Sequence, residues 1–207
     1  EMCIRDSFLG PAYALLNPDF ARLRPHSLAR RAYAGAKHLL VSMGGVDAHN
    51  VTHTVLTALS QMGLPEDSHL TVVLGPHAPW RDAVAALVAR LPFSAQLVTN
   101  TNHMAELMSV ADLAIGAAGT SALERCCMGL PSLQLVLAPN QALAAAALAQ
   151  AGAAITVPLS SALTDALSLA FAQALAPDQL HRMQLAGADL VDGRGCERVL
   201  KEVMHVE

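Results

Sequence analysis

Between Ala111 and Gln141 the chain reads ADLAIGAAGTSALERCCMGLPSLQLVLAPNQ: apolar run, glycine-bracketed turn, short helical stretch, second apolar run, polar dipeptide. No other stretch restricts the fold as much. Leu113, Ala114 and Ile115 form the continuous apolar run of a strand buried on both faces of a parallel sheet. Gly116 and Gly119 bracket the turn, and Gly119 lacks a Cβ that would block a ligand approaching the backbone. Thr120 and Ser121 open a helix whose unpaired N–H groups and positive dipole end suit a phosphate. Glu124 lies one turn in, where a carboxylate can accept hydrogen bonds from vicinal sugar hydroxyls. Gly129, Leu130 and Pro131 stop the helix and launch the next strand. These residue types suit a nucleoside diphosphate. Ser121-x-x-Glu124 is equally a capping box, which needs no ligand.

From Lys37 onward strand and helix signals alternate. Strands are predicted at His38–Ser42, His69–Leu74, Ala95–Val98, Leu113–Ile115, after Pro131, and at Ala153–Val157. Between them lie helices over Val51–Met62 (with Asn50 as N-cap), Trp80–Arg90 and His103–Val110, the short helix from Thr120, and an Ala-rich helix ending at Ala151. Two more helices follow, Ser161–Leu175 and Pro177–Val191, the second with proline in its first turn. Gly193-Arg194-Gly195 then breaks the chain before Cys196–Met204. Six short strands alternating with helices predict an α/β fold, a Rossmann-like doubly wound parallel sheet. Its strand-to-helix turns gather on one edge, where ligands of such sheets bind. Met43-Gly44-Gly45-Val46-Asp47 is a second glycine turn on that edge, or simply a tight turn.

The preceding residues differ in character. Pro11, Pro18 and Pro25 punctuate residues 8–31, which suits an extended connector with a short helical turn. Glu1–Ser7 resembles nothing that follows and is expected to be foreign to the fold. Residues 1–35 are therefore read as remnant and connector, and residues 36–207 as the domain.

Composition narrows the function. Of 207 residues, 53% are hydrophobic, 14% charged and 3% aromatic, so the core is packed by Ala, Leu, Val and Met. The formal net charge of −4 and the absence of a Lys/Arg run argue against a nucleic-acid partner. A mean hydropathy of +0.38 raises the question of a membrane. The most apolar segment, Ala142–Val157, is interrupted by Gln150 and Gly152 and falls short of a hydrocarbon span. Cys3, Cys126, Cys127 and Cys196 form no CxxC pair, and read as reduced thiols of a cytoplasmic protein. His49 and His53 have i,i+4 spacing but no third ligand nearby, so no metal site is expected. Neither a dinucleotide fingerprint after the first strand nor a GxxxxGK[ST] loop is present, which removes support for NAD binding and ATP hydrolysis.

Four blocks carry a resemblance: GPAYALLNPDFARLR, LLVSMGGVDAHNVT, the Ala111–Gln141 stretch and VDGRGCERV. In this order they resemble the C-terminal half of the UDP-2,4-diacetamido-2,4,6-trideoxy-β-L-altropyranose hydrolases of pseudaminic acid biosynthesis, from about Phe8 to the end. More broadly, the glycine turn, Glu124 and Gln141 are similar to the C-terminal domain of the peptidoglycan N-acetylglucosaminyl transferase. Both families have the two-domain GT-B architecture, with the nucleotide held by the C-terminal domain. The resemblance implies that water attacks the anomeric carbon of a UDP-sugar with inversion, releasing UDP, and that no cofactor is needed. The catalytic histidine belongs to the family's N-terminal domain, which is expected to be missing here. No histidine of this chain matches that motif, so no catalytic residue is expected within it.

Carried over by position, Gly44, Gly45 and Val46 would line the phosphate and sugar side of the cleft. Val46 stands where many relatives have Ser, which removes a hydroxyl. Ala118, Gly119, Thr120 and Ser121 would present donors to the diphosphate, and Glu124 would bind the ribose. Asn140 and Gln141 would hold the sugar's polar substituents. His103 and Met104 would lie near the uracil. Three readings stay open: a hydrolase half, a glycosyltransferase of the same architecture, and a non-catalytic nucleotide-binding module. In the GT-B frame, Arg194–Val206 has lost its packing partner, so a loosely held C-terminus and an exposed apolar patch are expected.

Overall fold

The computed structural model describes residues 10–31 and 35–204. Glu1–Ser7 and Cys3 lie outside the described residues. Six strands, β1 (His38–Ser42), β2 (His69–Leu74), β3 (Ser94–Thr99), β4 (Leu113–Ala117), β5 (Ser132–Leu135) and β6 (Ala154–Val157), form one sheet. Every pairing is parallel and the order is β3-β2-β1-β4-β5-β6. The predicted doubly wound sheet is present. The chain winds outward from β1 to β3, then returns to place β4 on the other side of β1. That reversal opens a crevice between the ends of β1 and β4.

Side chains alternate between the two faces of the sheet. Leu39, Val41, Leu70, Val72, Leu113, Ile115 and Leu133 pack against α2 (Val51–Gln61), α3 (Arg81–Val88) and α7 (Leu163–Ala174). The opposite face meets α1 (Pro18–Arg31), α4 (Met104–Val110), α5 (Ser121–Cys127), α6 (Ala142–Gln150) and α8 (Gln179–Leu190). On that second face Leu40, Ala114, Ser132 and Ala154 lie side by side across the strands. Ala114, Ser132 and Ala154 are small, which lets helices on this face approach the sheet closely. Cys126 and Cys127 fill the gap as buried free thiols, and burial pushes the Cys126 thiol up to about 11.

Three expectations are corrected. Residues 18–31 form a 14-residue helix rather than an extended connector, despite Pro25 inside it. Pro18 begins the helix, where its missing N–H costs nothing. Tertiary anchors then hold the rest: the Arg24 guanidinium donates to the carbonyls of Cys127, Ala188 and Val191, and Ser27 Oγ to Met128 O at 2.8 Å. Asn50 does not cap α2, since its backbone is left-handed and its side chain makes no cap bond. Finally, Pro177 precedes α8 instead of entering its first turn, Asp178 being the N-cap.

The C-terminal helix α9 (Gly195–Met204) is not loosely held at its start. Gly195 packs so tightly on the backbone of Tyr13 and Ala14 that a Cβ would overlap it. Arg198 pairs with Asp192 and donates to Ala12 O at 2.8 Å. The expected apolar exposure is present further along, at Leu200, Val203 and Met204. Among the described residues no helix is long and apolar enough to cross a membrane, and no cluster of His, Cys, Asp and Glu is suited to a metal.

Candidate nucleotide site

A cavity of ≈ 270 Å³ opens at the crevice between β1 and β4. Gly44 and Gly45 contribute from the turn after β1, and Met104 from the start of α4. Thr120, Ser121 and Glu124 close it from the turn after β4 and from α5. Gly44 has φ +95°, which only glycine adopts readily, and a Cβ on Gly45 would meet nothing within 4 Å. The turn after β1 thus offers bare backbone to the cavity.

The turn after β4 offers donors. Ala118 N–H is committed to Leu135 O at 2.9 Å, so it cannot serve a ligand. The N–H groups of Gly119, Thr120 and Ser121 have no protein acceptor among the described residues. At Gly119 a Cβ would meet only Gln141 Nε2, at 3.7 Å. No capping box forms: Thr120 is the N-cap, in helical conformation, and makes no side-chain cap bond. The Glu124 carboxylate accepts no hydrogen bond from the protein among the described residues, although it is half-buried. Burial raises its pKa, an effect that the neighbouring Arg125 opposes. Thr120 and Ser121 share the cavity with the open carboxylate, and open N–H groups beside an open carboxylate suit a ribose diphosphate: acceptor for hydroxyls, donors for oxyanions.

The remaining expected residues divide. Ala118, Gly119, Thr120, Asn140 and Gln141 line a neighbouring, largely apolar cavity of ≈ 420 Å³ that shares Thr120 with the first. Gln141 Oε1 accepts the Leu137 N–H at 2.9 Å, which leaves its amide nitrogen facing Gly119. Val46 does not join either group; it is 55% exposed. His103 is exposed as well, with Nδ1 3.5 Å from Glu106 Oε1.

Sequence reasoning missed several contributors. Gly75 and Pro76, after β2, and Asn100 and Thr101, after β3, also line the first cavity. All four follow strands at the ligand-binding edge, and that rule alone would have found them. A Cβ on Gly75 would overlap the Gly45 carbonyl, so two turns of the site touch backbone to backbone. Asp47, buried in the turn after β1, caps α2 in place of Asn50. Its signal was an acid four residues ahead of the helix.

A 3-2-1-4-5-6 parallel sheet with bare turns and an unpartnered carboxylate at its reversal point defines a doubly wound domain of the nucleotide-binding type. Within that class, the chain belongs to the glycosyltransferase family 28 C-terminal domain family, whose pattern matches residues 38–190. It is thus a GT-B, glycosyltransferase-like C-terminal domain. The chain is 31% identical over 192 residues to the spore coat polysaccharide biosynthesis protein SpsG of Bacillus subtilis (strain 168), covering 92% of this chain and 56% of SpsG. MurG of Acinetobacter baumannii shares the fold with a TM-score of 0.73 at 22% identity, over 86% of this chain and 52% of MurG. UDP-GlcNAc 2-epimerase from Neisseria meningitidis, solved bound to UDP-GlcNAc, matches with a TM-score of 0.63 at 16% identity, over 88% of this chain and 49% of the epimerase. The chain spans about half the length of these relatives.

Proposed function

We propose that this chain is the UDP-binding half of a UDP-sugar hydrolase that releases UDP and 2,4-diacetamido-2,4,6-trideoxy-L-altrose in pseudaminic acid biosynthesis. The observation that carries the nucleotide part is the free Glu124 carboxylate in one cavity with Thr120 and Ser121, whose N–H groups are open, with Gly119 lining the adjoining cavity. The hydrolase part rests on the four sequence blocks. In this reading Glu124 accepts the ribose hydroxyls, while the 119–121 turn and Gly44–Gly45 take the diphosphate. Met104 lies beside the base, and Asn140 and Gln141 reach the sugar.

The reaction breaks the bond between the anomeric carbon and the diphosphate oxygen, and the electron pair leaves with UDP. In this reading the open N–H groups of the 119–121 turn stabilise the charge that grows on those oxygens. The general base that takes the water's proton comes from an N-terminal domain outside this chain. Calorimetry with UDP tests the reading. Folded protein that shows no heat of binding overturns it.

The family's description as glycosyltransferases favours a second reading, in which an acceptor hydroxyl replaces water. Supplying an N-terminal domain and measuring free against transferred sugar separates the two. A non-catalytic module would bind UDP yet yield neither product.

A further inference from the structure

Among the described residues Arg125 is the largest fully buried side chain, 2% exposed. It lies in α5, one residue beyond Glu124, and its guanidinium reaches back under the turn after β4. There it donates to Ala117 O at 2.8 Å and meets Ser121 Oγ at 3.5 Å. Its Nε is buried without any partner, and no acidic side chain hydrogen-bonds to it among the described residues. A buried cation without a bonded counter-charge is costly, and proteins retain such groups where function needs them. Burial lowers its pKa to about 10, so it stays charged at neutral pH.

The sheet makes room for it. Ser42, Gly116, Gln134 and Thr156 lie side by side on the face toward α5. At Gly116 a Cβ would come within 2.7 Å of Arg125 Nη1 and 2.8 Å of Ser42 O. Gly116, within β4, therefore seats the arginine, whereas a Cβ at Gly119, in the turn, would meet only Gln141 Nε2. By holding the Ala117 carbonyl, Arg125 fixes the start of the turn whose residues Thr120 and Ser121 line the cavity.

We propose that Arg125 is a positioning residue for the diphosphate: it clamps the Ala117–Ser121 turn from beneath and places behind it a positive charge that no acidic side chain hydrogen-bonds among the described residues. Glu124 opposes that charge only through space. The inference rests on the nucleotide-site reading and adds to it a cation that touches no ligand. A charge held in a water-excluded position acts on an anion above it with little screening. With only seven residues, α5 supplies little of that field itself.

The test measures affinities for UDP and for uridine in the same chain, alongside circular dichroism and thermal unfolding. In Arg125→Met, which keeps much of the volume and removes the charge, the preference for UDP over uridine falls about tenfold or more while uridine affinity holds. Arg125→Lys keeps the charge but concentrates it on one nitrogen without the planar fork, so its preference falls less, by about threefold. A purely structural role would weaken both ligands in parallel. An unchanged ratio in either folded variant overturns the inference, and Arg125→Lys decides the matter if Arg125→Met does not fold. Wild-type protein that binds no UDP overturns the nucleotide-site reading instead.

Discussion

Asp47 closes the first turn of α2 from four residues away: its Oδ1 accepts the Val51 N–H at 2.8 Å, and its Oδ2 the Thr52 N–H at 2.9 Å. The same residue ends the Gly44–Gly45 turn, so one side chain couples the helix start to the cavity wall. Asp47→Ala leaves two buried donors unpaired and is expected to cost about 1–2 kcal/mol in urea unfolding. Asn50, held at φ +54° with its Oδ1 unpartnered, should behave oppositely. Asn50→Gly suits that backbone and leaves stability unchanged or slightly raised. Equal losses at both positions would contradict the assignment of the cap to Asp47.

Glu124 separates ligand binding from folding. Because no capping box uses it, Glu124→Ala is expected to change stability by less than about 0.5 kcal/mol. It should still weaken UDP binding about tenfold or more, as a lost charge-assisted pair of hydrogen bonds does. The pH dependence has a definite sign. Ribose hydroxyls favour the ionised carboxylate, so binding lowers a pKa that burial has raised above its ordinary value. UDP affinity is therefore full at neutral pH and declines as pH falls through that raised pKa. In Glu124→Gln the acidic decline should vanish. A Glu124→Ala protein that loses stability but keeps UDP affinity would restore the capping-box account.

Gly75→Ala probes the contact between turns. The new methyl would overlap the Gly45 carbonyl, and backbone cannot yield as a side-chain tip does. A loss of about 1–3 kcal/mol is expected, with weaker UDP binding because the Gly44–Gly45 turn must shift. Unchanged melting and binding would show that the two turns slide freely.

The sequence carried the sheet well because central parallel strands are apolar on both faces and glycine marks their exits. The runs at residues 39–41, 70–74 and 113–115 are of this kind, and β1 and β2 end where the periodicity puts them. Helix α1 was hidden because Pro18 and Pro25 read as breaks. What overrides them is a set of contacts over a hundred residues away in the chain, through Arg24 and Ser27, and no local pattern encodes those. The site was legible where glycine or a carboxylate announces it, at Gly44, Gly119 and Glu124. Arg125 was not, because one cation in an apolar helical stretch usually faces solvent. Only the register that puts Gly116 beneath it shows otherwise.

Arg24 tests that long-range override. Its guanidinium satisfies carbonyls at the ends of α5 and α8, which lie in the unpaired last turns of those helices. Arg24→Ala should cost about 1.5–3 kcal/mol. Hydrogen exchange should show α1 opening before the strands do. If α1 remains as protected as β1 in the variant, the apolar contacts of Phe20 and Leu23 hold it without the arginine.

The tie between Asp192 and Arg198 gives the C-terminal helix a pH response. The Arg198 hydrogen bond, opposed by desolvation and aided by the Arg194 N–H, holds the Asp192 carboxyl well below the usual carboxylate range. A depressed folded-state pKa stabilises docking fully above the unfolded value of about 3.9, and that contribution fades as pH drops below it. Docking of α9 on the Pro11–Tyr13 turn is thus expected to be constant from neutral pH to about 5 and to weaken toward pH 3. Amide protection at Val199 and Leu200, referenced to β1, reads it directly. Asp192→Asn should show the weakened state at every pH, because the carboxamide keeps an acceptor but loses the charge. Protection that tracks β1 across the whole range would mean that Gly195 packing on Ala14 holds the helix by itself.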